Sequence, residues 1–465
     1  MKTLRTTLLP LGAALLLAGC AGEPRTARIT VSPSIYASMH DAPDPHLWLE
    51  DVTGERALDW VRAQNALSTR ELEASSEFEA TRRRLLAIYD SKERIPFVSK
   101  HGELYYNFWR DPAHVRGVWR RTTLEEFRKP EPAWETVLDL DQLAGAEKEN
   151  WVWKGASVLE PDHDRCLVVL SRGGADASVY REFDLKAKAF VRDGFTLPEA
   201  KSRVDWRHRD ALYVGTDFGP GSLTDSGYPR VVKEWRRGTP LAEAAVVFEG
   251  RKEDVSVGAS AYLDHGRVYE FVQRAPTFFT SETHVRRGDG FVRLDKPDDA
   301  EVGTFGPWLL LELRTDWTVN GVTHRAGSLL AADFDAYLRG ERDLTPLFTP
   351  TDRKSLAGYT ATKSALILTE LENVRSRPYV VTFTDGKWTR TPLDAPEFGN
   401  IGVSGVDAEA SDEFFMTVTD FLTPSSLALG TVGRDGRETL KSQPAFFKAD
   451  GLQIQQFEAR SRDGT

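Results

Sequence analysis

The chain has 465 residues, 40% of them hydrophobic and 28% charged, with a formal net charge of −10. This bounds a soluble globular protein, long enough for one large domain or several ordinary ones. It excludes nucleic acid as a partner: an acidic chain offers phosphates no general basic field, and Arg82-Arg83-Arg84 and Arg120-Arg121 sit beside acidic residues as solvated faces.

Lys2 and Arg5 form a positive n-region, Leu8 to Leu17 an apolar h-region, and Leu17-Ala18-Gly19-Cys20 a small-residue cleavage site ending in cysteine. The pattern resembles the lipobox of bacterial lipoproteins. That resemblance implies cleavage before Cys20, lipidation of Cys20, and display from a membrane on the periplasmic side, with Ala21 favouring the outer membrane. An ordinary secretory signal is the alternative, and both export the chain. Residues 21–43 are small and polar and read as a tether, and no stretch after residue 20 is long and apolar enough to span a bilayer. The second cysteine, Cys166, lies in the apolar run Cys166-Leu167-Val168-Val169-Leu170, as a small buried hydrophobe would. With Cys20 lipidated no disulfide is available, and the fold is expected to rest on its core.

From Asp44 to about Tyr89, Leu58, Val61, Asn65, Leu72, Phe78, Leu85 and Ile88 recur at helical spacings, with Thr53 placed as an N-cap and Ile95-Pro96 closing the region. Beyond it the period changes to two. Strong strand character marks Leu104 to Phe108, Cys166 to Leu170, Ala211 to Val214, Val268 to Val272, Trp308 to Leu311, Ala365 to Leu368 and Phe414 to Val418. Their mean separation is roughly fifty residues, the length of a four-stranded propeller blade. Several runs follow a turn: Pro161-Asp162-His163-Asp164, Asp264-His265-Gly266 and Ala410-Ser411-Asp412. Later hairpins turn at Asp289-Gly290, Asp385-Gly386 and Asp435-Gly436, where Asp-Gly supplies the positive φ values of a tight turn. The expected fold is mainly β, a seven-bladed β-propeller preceded by a short helical segment; a pair of β-sandwiches is the competing architecture. At the end, Phe457 to Thr465 alternate like a strand and enter an Asp-Gly turn with no second strand, which reads as a cut inside a larger protein.

No cofactor or metal is expected. Asp162-His163-Asp164 is better explained as a polar hairpin turn than as a metal cluster, and His208 and His324, beside arginines, read as surface residues. Gly219-Pro220-Gly221-Ser222 has no helix or lysine where a phosphate cradle needs them. Acyl transfer needs an activated nucleophile and an oxyanion hole. No Gly-x-Ser-x-Gly elbow occurs, Gly402 to Val406 failing at its last position, and none of the nine histidines lies beyond His324. A scattered triad of Ser256, Asp264 and His265 has no support from spacing.

Asp44-Pro45-His46-Leu47-Trp48-Leu49-Glu50-Asp51, continued by Trp60-Val61-Arg62-Ala63-Gln64-Asn65, resembles the N-terminal signature of the prolyl oligopeptidase family of serine peptidases. Ser222 to Pro229 with Lys233-Glu234-Trp235, Asp420 to Pro424, and Phe457 to Thr465 are similar to later family segments in the same order. The resemblance implies a helical segment and a seven-bladed propeller that gates an α/β-hydrolase domain carrying Ser, Asp and His, with short peptides cleaved, often after proline. Every catalytic residue of the family would follow Thr465, so no catalytic residue is assigned in this chain.

The division expected is a signal peptide over 1–19, a tether over 20–43, a helical segment over 44–95, a propeller over 96–452 and the start of a hydrolase domain over 453–465. The chain is expected to be inactive alone. Its expected partners are short peptides, an α/β-hydrolase domain in cis or in trans, and a membrane reached through the lipid on Cys20. A non-catalytic peptide- or protein-binding propeller lipoprotein is the alternative. Against it stand the terminal strand and the helical segment, whose Trp48, Leu49 and Trp60 would be left under-covered.

Overall fold

The computed structural model describes residues 44–464 apart from 52 and 446. The signal and tether expected before residue 44, with Cys20, lie outside the described residues. The chain divides into two units, one ending at Ser91 and one beginning at Lys92.

The first unit holds a 3-10 turn at Leu47–Glu50 and helices at Glu55–Leu72 and Ser76–Tyr89. Gly54, not Thr53, is the N-cap of the first helix. The Asp51 carboxylate lies where a Gly54 side chain would go, so the chain enters the helix one residue later than the pattern suggests. Ser75 caps the second helix by accepting from the Glu77 N–H at 3.2 Å. Trp48 and Trp60 of the signature meet edge to face with centroids 6.2 Å apart, and Arg56 lies over Trp48 at 4.2 Å.

The second unit consists of seven antiparallel sheets in chain order: residues 99–139, 151–200, 203–249, 256–293, 301–348, 354–392 and 400–442. Each is a four-stranded meander, and the chain is a seven-bladed β-propeller. In blade two, Ala189–Phe190 and Thr196–Ala200 both pair with Ser178–Asp184, adding a fifth strand. In blade five the hairpin Trp317–Val319 and Val322–His324 is inserted between the second and third strands.

Each of the seven apolar runs marks the second strand of a different blade. That strand is buried on both faces, so alternate side chains enter different cores and the sequence reads as an unbroken apolar run. Cys166, Val168 and Leu170 face blade one, while Leu167 joins Trp206 and Leu212 on the blade-three side. Leu309 and Leu311 pack with Phe271 of blade four, while Leu310 packs with Leu366 and Leu368 of blade six. Cys166 is fully buried, and burial pushes its thiol pKa up, as expected of an inert core residue.

A hydrophobic core occupies each seam between consecutive blades. The seam between blades seven and one has its own core of Phe415, Leu427, Leu429 and Leu440 against Tyr105 and Phe127. Both blades are built from consecutive strands, so the ring closes by side-chain packing without an exchanged strand. Ion pairs of Lys100 with Asp407 at 2.7 Å and Arg128 with Glu438 at 3.0 Å also cross this seam. The first strands of neighbouring blades approach closely: a Cβ on Gly405 would lie 1.9 Å from the Ala361 carbonyl oxygen.

The hairpin expected at Asp385-Gly386 joins third to fourth strands as anticipated, both residues having positive φ. The turn expected at Asp435-Gly436 lies instead within a six-residue connection, Val432 to Arg437, whose tight turn comes earlier, with the Arg434 N–H donating to the Thr431 carbonyl at 3.1 Å. At the remaining site the turn shifts by one: Gly288 carries the positive φ of 56°, and Gly290 already pairs with Arg287. The strand expected from Phe457 is not part of any ladder among the described residues. Side chains fix this segment to blade six instead, through Glu458 with Arg353 at 2.8 Å and the Gln456 amide donating to the Asn373 carbonyl at 2.6 Å.

Candidate functional site

An up-and-down meander places every connection between first and second strands on one face of the ring, and every connection between second and third strands on the other. Three of the polar turns singled out in the sequence, Asp162-His163-Asp164, Asp264-His265-Gly266 and Ala410-Ser411-Asp412, lie on the first of these faces. Asp162 and Asp164 both accept from Arg209 of the equivalent turn in blade three, each at 2.7 Å. Asp162-His163-Asp164 is thus one half of an inter-blade ion pair, with His163 at a φ of 51° in the turn.

The centre of this face is built around Asp264 and His265. Asp264 Oδ1 lies 2.5 Å from His265 Nδ1, and its other oxygen accepts from the Thr304 hydroxyl of blade five. His265 Nε2 lies 3.1 Å from the Thr362 carbonyl of blade six, an acceptor only, so both ring nitrogens face acceptors, an arrangement that favours the protonated ring. The bond to Asp264 raises the His265 pKa against the opposing effect of burial. Phe305 meets the ring edge on at 4.7 Å. The Glu409 carboxylate, from blade seven, accepts the main-chain N–H of His265 and, at 2.9 Å, that of Gly266.

Donor atoms of Asp264, His265 and Glu409 converge within 4.8 Å, as metal ligands would. Each is already engaged with its neighbours or the backbone, so a cation would have to break this cross-link to enter. The arrangement is equally unsuited to nucleophilic catalysis. Ser256 begins the strand that Asp264 ends, about 26 Å away at the rise of a strand, and the second imidazole nitrogen faces a carbonyl where a serine would sit. Of the scattered triad, the structure brings together only the acid and the histidine.

Gly219-Pro220-Gly221 lines a cleft of about 600 Å³ with Asp217, Leu223, Arg230 and Lys252. Its cations are internally paired, Arg230 with Glu249 at 2.6 Å and Lys252 with Asp225 at 3.0 Å. His208 is exposed as expected, but His324 is buried, because pairing with Trp317 turns it into the inserted hairpin of blade five. Glu409, Thr304 and Thr362 escaped the sequence reading; the one available signal was the neighbouring turn at Ala410-Ser411-Asp412.

The opposite face carries a few exposed apolar side chains among its polar loops. Phe278 and Phe279 project from the loop between the second and third strands of blade four, 83% and 82% exposed. Phe421 of blade seven and Val374 of blade six occupy equivalent connections and are equally exposed.

Residues 26–294 match a family model described as prolyl oligopeptidase, N-terminal β-propeller domain. An uncharacterized peptidase of Sinorhizobium fredii is 35% identical over 95% of this chain and 62% of its own length. A second, of Rickettsia prowazekii, is 26% identical over 91% of this chain and 61% of its length. The chain therefore spans about three fifths of the curated relatives it matches. Among solved structures, a post-proline cleaving enzyme from Rickettsia typhi superposes with a TM-score of 0.83 at 26% identity, over 90% of this chain and 63% of that one. The meander continues through three further blades after residue 294. The chain belongs to the prolyl oligopeptidase family, and its seven blades are that family's N-terminal β-propeller domain.

Proposed function

We propose that this chain is the substrate-gating propeller portion of an exported prolyl-oligopeptidase-like serine peptidase, acting on short peptides together with an α/β-hydrolase domain supplied in cis or in trans, and inactive alone. The observation that carries the reading is the length relation: the chain aligns with three fifths of its peptidase relatives, and that part folds as the propeller. Its chemistry agrees, since the Asp264–His265 pair is committed to holding blades together. Incubation of the purified chain with proline-containing peptides is expected to give no cleavage, and addition of the relatives' C-terminal portion to restore it. Cleavage by the chain alone, in a preparation cleared of contaminating peptidase, would refute the inactivity.

Export and anchoring rest on Lys2, Arg5, the apolar run Leu8 to Leu17 and Cys20. The proposed location is the periplasmic side of a bacterial membrane, the outer membrane by the residue at Ala21. Fatty-acid labelling in cells is expected to mark the wild-type chain and not Cys20→Ser. Equal labelling of both would remove the lipoprotein reading.

A further inference from the structure

The contact between Glu409 and His265 joins blades that are not neighbours. Seven seams, each with its own core, order the blades in a closed ring. Blades four and seven stand on opposite sides of that ring, with blades five and six between them one way and blades three, two and one the other. The first strands are innermost, so a bond from a first turn of blade seven to a first turn of blade four crosses the axis.

The connection that makes this crossing is longer than its counterparts, which have two residues in blades one, three, four and five, four in blade six and six in blade two. It runs from Val406 to Asp412 and is stiffened by its own bonds: the Asp407 carboxylate accepts the N–H of Glu409 and of Ala410, both at 3.1 Å, and the Asp407 carbonyl accepts the Ser411 N–H at 3.0 Å. It is anchored on three sides. Lys100 of blade one donates to Asp407 at 2.7 Å. On blade six, the Lys363 N–H donates to the Ser411 carbonyl at 3.0 Å, and Thr362 and Ser364 hydroxyls donate to Asp412, both at 2.9 Å. On blade four, Glu409 takes two successive main-chain N–H groups beside the His265 ring. Charge-assisted bonds to a carboxylate are roughly twice as strong as neutral ones, and these two act together.

We propose that the connection 406–412 is a strap closing the propeller channel at this face, with Glu409 as the positioning residue that holds it against blade four. A ligand then reaches the interior only through the opposite face. The closure stands on the ring geometry alone; that the ligand is a peptide rests on the function proposed above.

Hydrogen exchange resolved to single amides, on the full chain, tests the strap without any assay of peptidase activity. In the wild type the His265 and Gly266 amides are expected to be protected. In Glu409→Ala they should exchange at least about tenfold faster, together with the amides of 408–411, while Leu167 and Val168 in the buried strand of blade two stay unchanged. Should the alanine variant fail to fold, Glu409→Gln carries the test: one amide oxygen cannot serve both N–H groups as the carboxylate does, so at least one loses protection. Rapid exchange of both amides in the wild type, or unchanged protection in a folded variant, overturns the proposal. Neither result bears on whether the chain serves a peptidase.

Discussion

Phe415 and Met416 are adjacent in the second strand of blade seven yet belong to different cores, Phe415 packing with Tyr105 of blade one and Met416 with Ile367 of blade six. The seam that Phe415 fills is the one at which the ring closes without an exchanged strand, so packing there has no ladder of hydrogen bonds to support it. Its ring meets Tyr105 edge to face at 6.4 Å. Phe415→Ala is expected to cost about 3–5 kcal/mol, the range for a buried aromatic residue replaced by alanine. Urea denaturation of the variant measures it, with the exposed Val246→Ala as the control expected to stay within about 0.5 kcal/mol of the wild type. Equal small losses in both variants would mean that this core does not hold the ring.

Gly405 and Gly303 each lie where first strands of neighbouring blades meet, but they meet different atoms. An added Cβ at Gly405 would lie 1.9 Å from a backbone carbonyl oxygen, which cannot move without its strand; at Gly303 it would lie 2.2 Å from the hydroxyl at the tip of Tyr359. Overpacking of this kind costs about 1–3 kcal/mol when neighbours can yield, and more when they cannot. Gly405→Ala should therefore lower the denaturation midpoint more than Gly303→Ala. The reverse order would show that blades six and seven are free to part.

The Asp264–His265 bond links stability to pH. Because the folded-state pKa of His265 is raised above its ordinary value near 6.5, the folded chain binds the imidazole proton more tightly than the unfolded chain does. This contribution is complete below the ordinary imidazole range and is lost as the pH rises through the raised folded value. Of the groups facing the ring, Asp264 and Glu409 are acidic, and Thr304, Thr362 and Phe305 are uncharged. Asp407, nearby in the strap, adds the opposite dependence at acid pH: burial works against it, but Lys100 and the backbone N–H groups of Ala410 and Glu409 hold its carboxyl below the usual range. Denaturation measured from pH 6 to pH 9 should show wild-type stability falling across this window more steeply than that of Asp264→Asn, whose neutral amide no longer favours the imidazolium. Parallel curves would mean that His265 titrates as it does in the unfolded chain.

The blades were legible because a strand buried on both faces leaves an unbroken apolar run, and Leu309-Leu310-Leu311 announces its blade without any partner being known. The exposed fourth strands left weaker traces. Lys387–Pro392 is mostly polar and was located through the Asp385-Gly386 turn that precedes it. The cluster at the channel was not legible. Glu409 is 144 residues from His265, and nothing local to either side chain encodes a contact made only when seven blades close into a ring. His324 was misread for a related reason: an adjacent arginine suggests solvent, while its burial depends on the fold of an inserted hairpin.

Phe278 and Phe279 pack on each other, with centroids 5.2 Å apart, and on little else. Leaving two such rings in water forgoes about 25 cal/mol for each Å² of apolar surface that a partner could cover, a cost that contributes nothing to the fold of this chain. Replacing both by serine should therefore leave the denaturation midpoint unchanged, within the roughly 0.5 kcal/mol expected of surface positions. The same change should reduce concentration-dependent self-association of the isolated chain in sedimentation velocity. It should also weaken capture of the relatives' C-terminal portion if that portion covers this face. A double variant that unfolds would place the pair in the core instead, and one that associates and captures as well as the wild type would remove this face from the interaction.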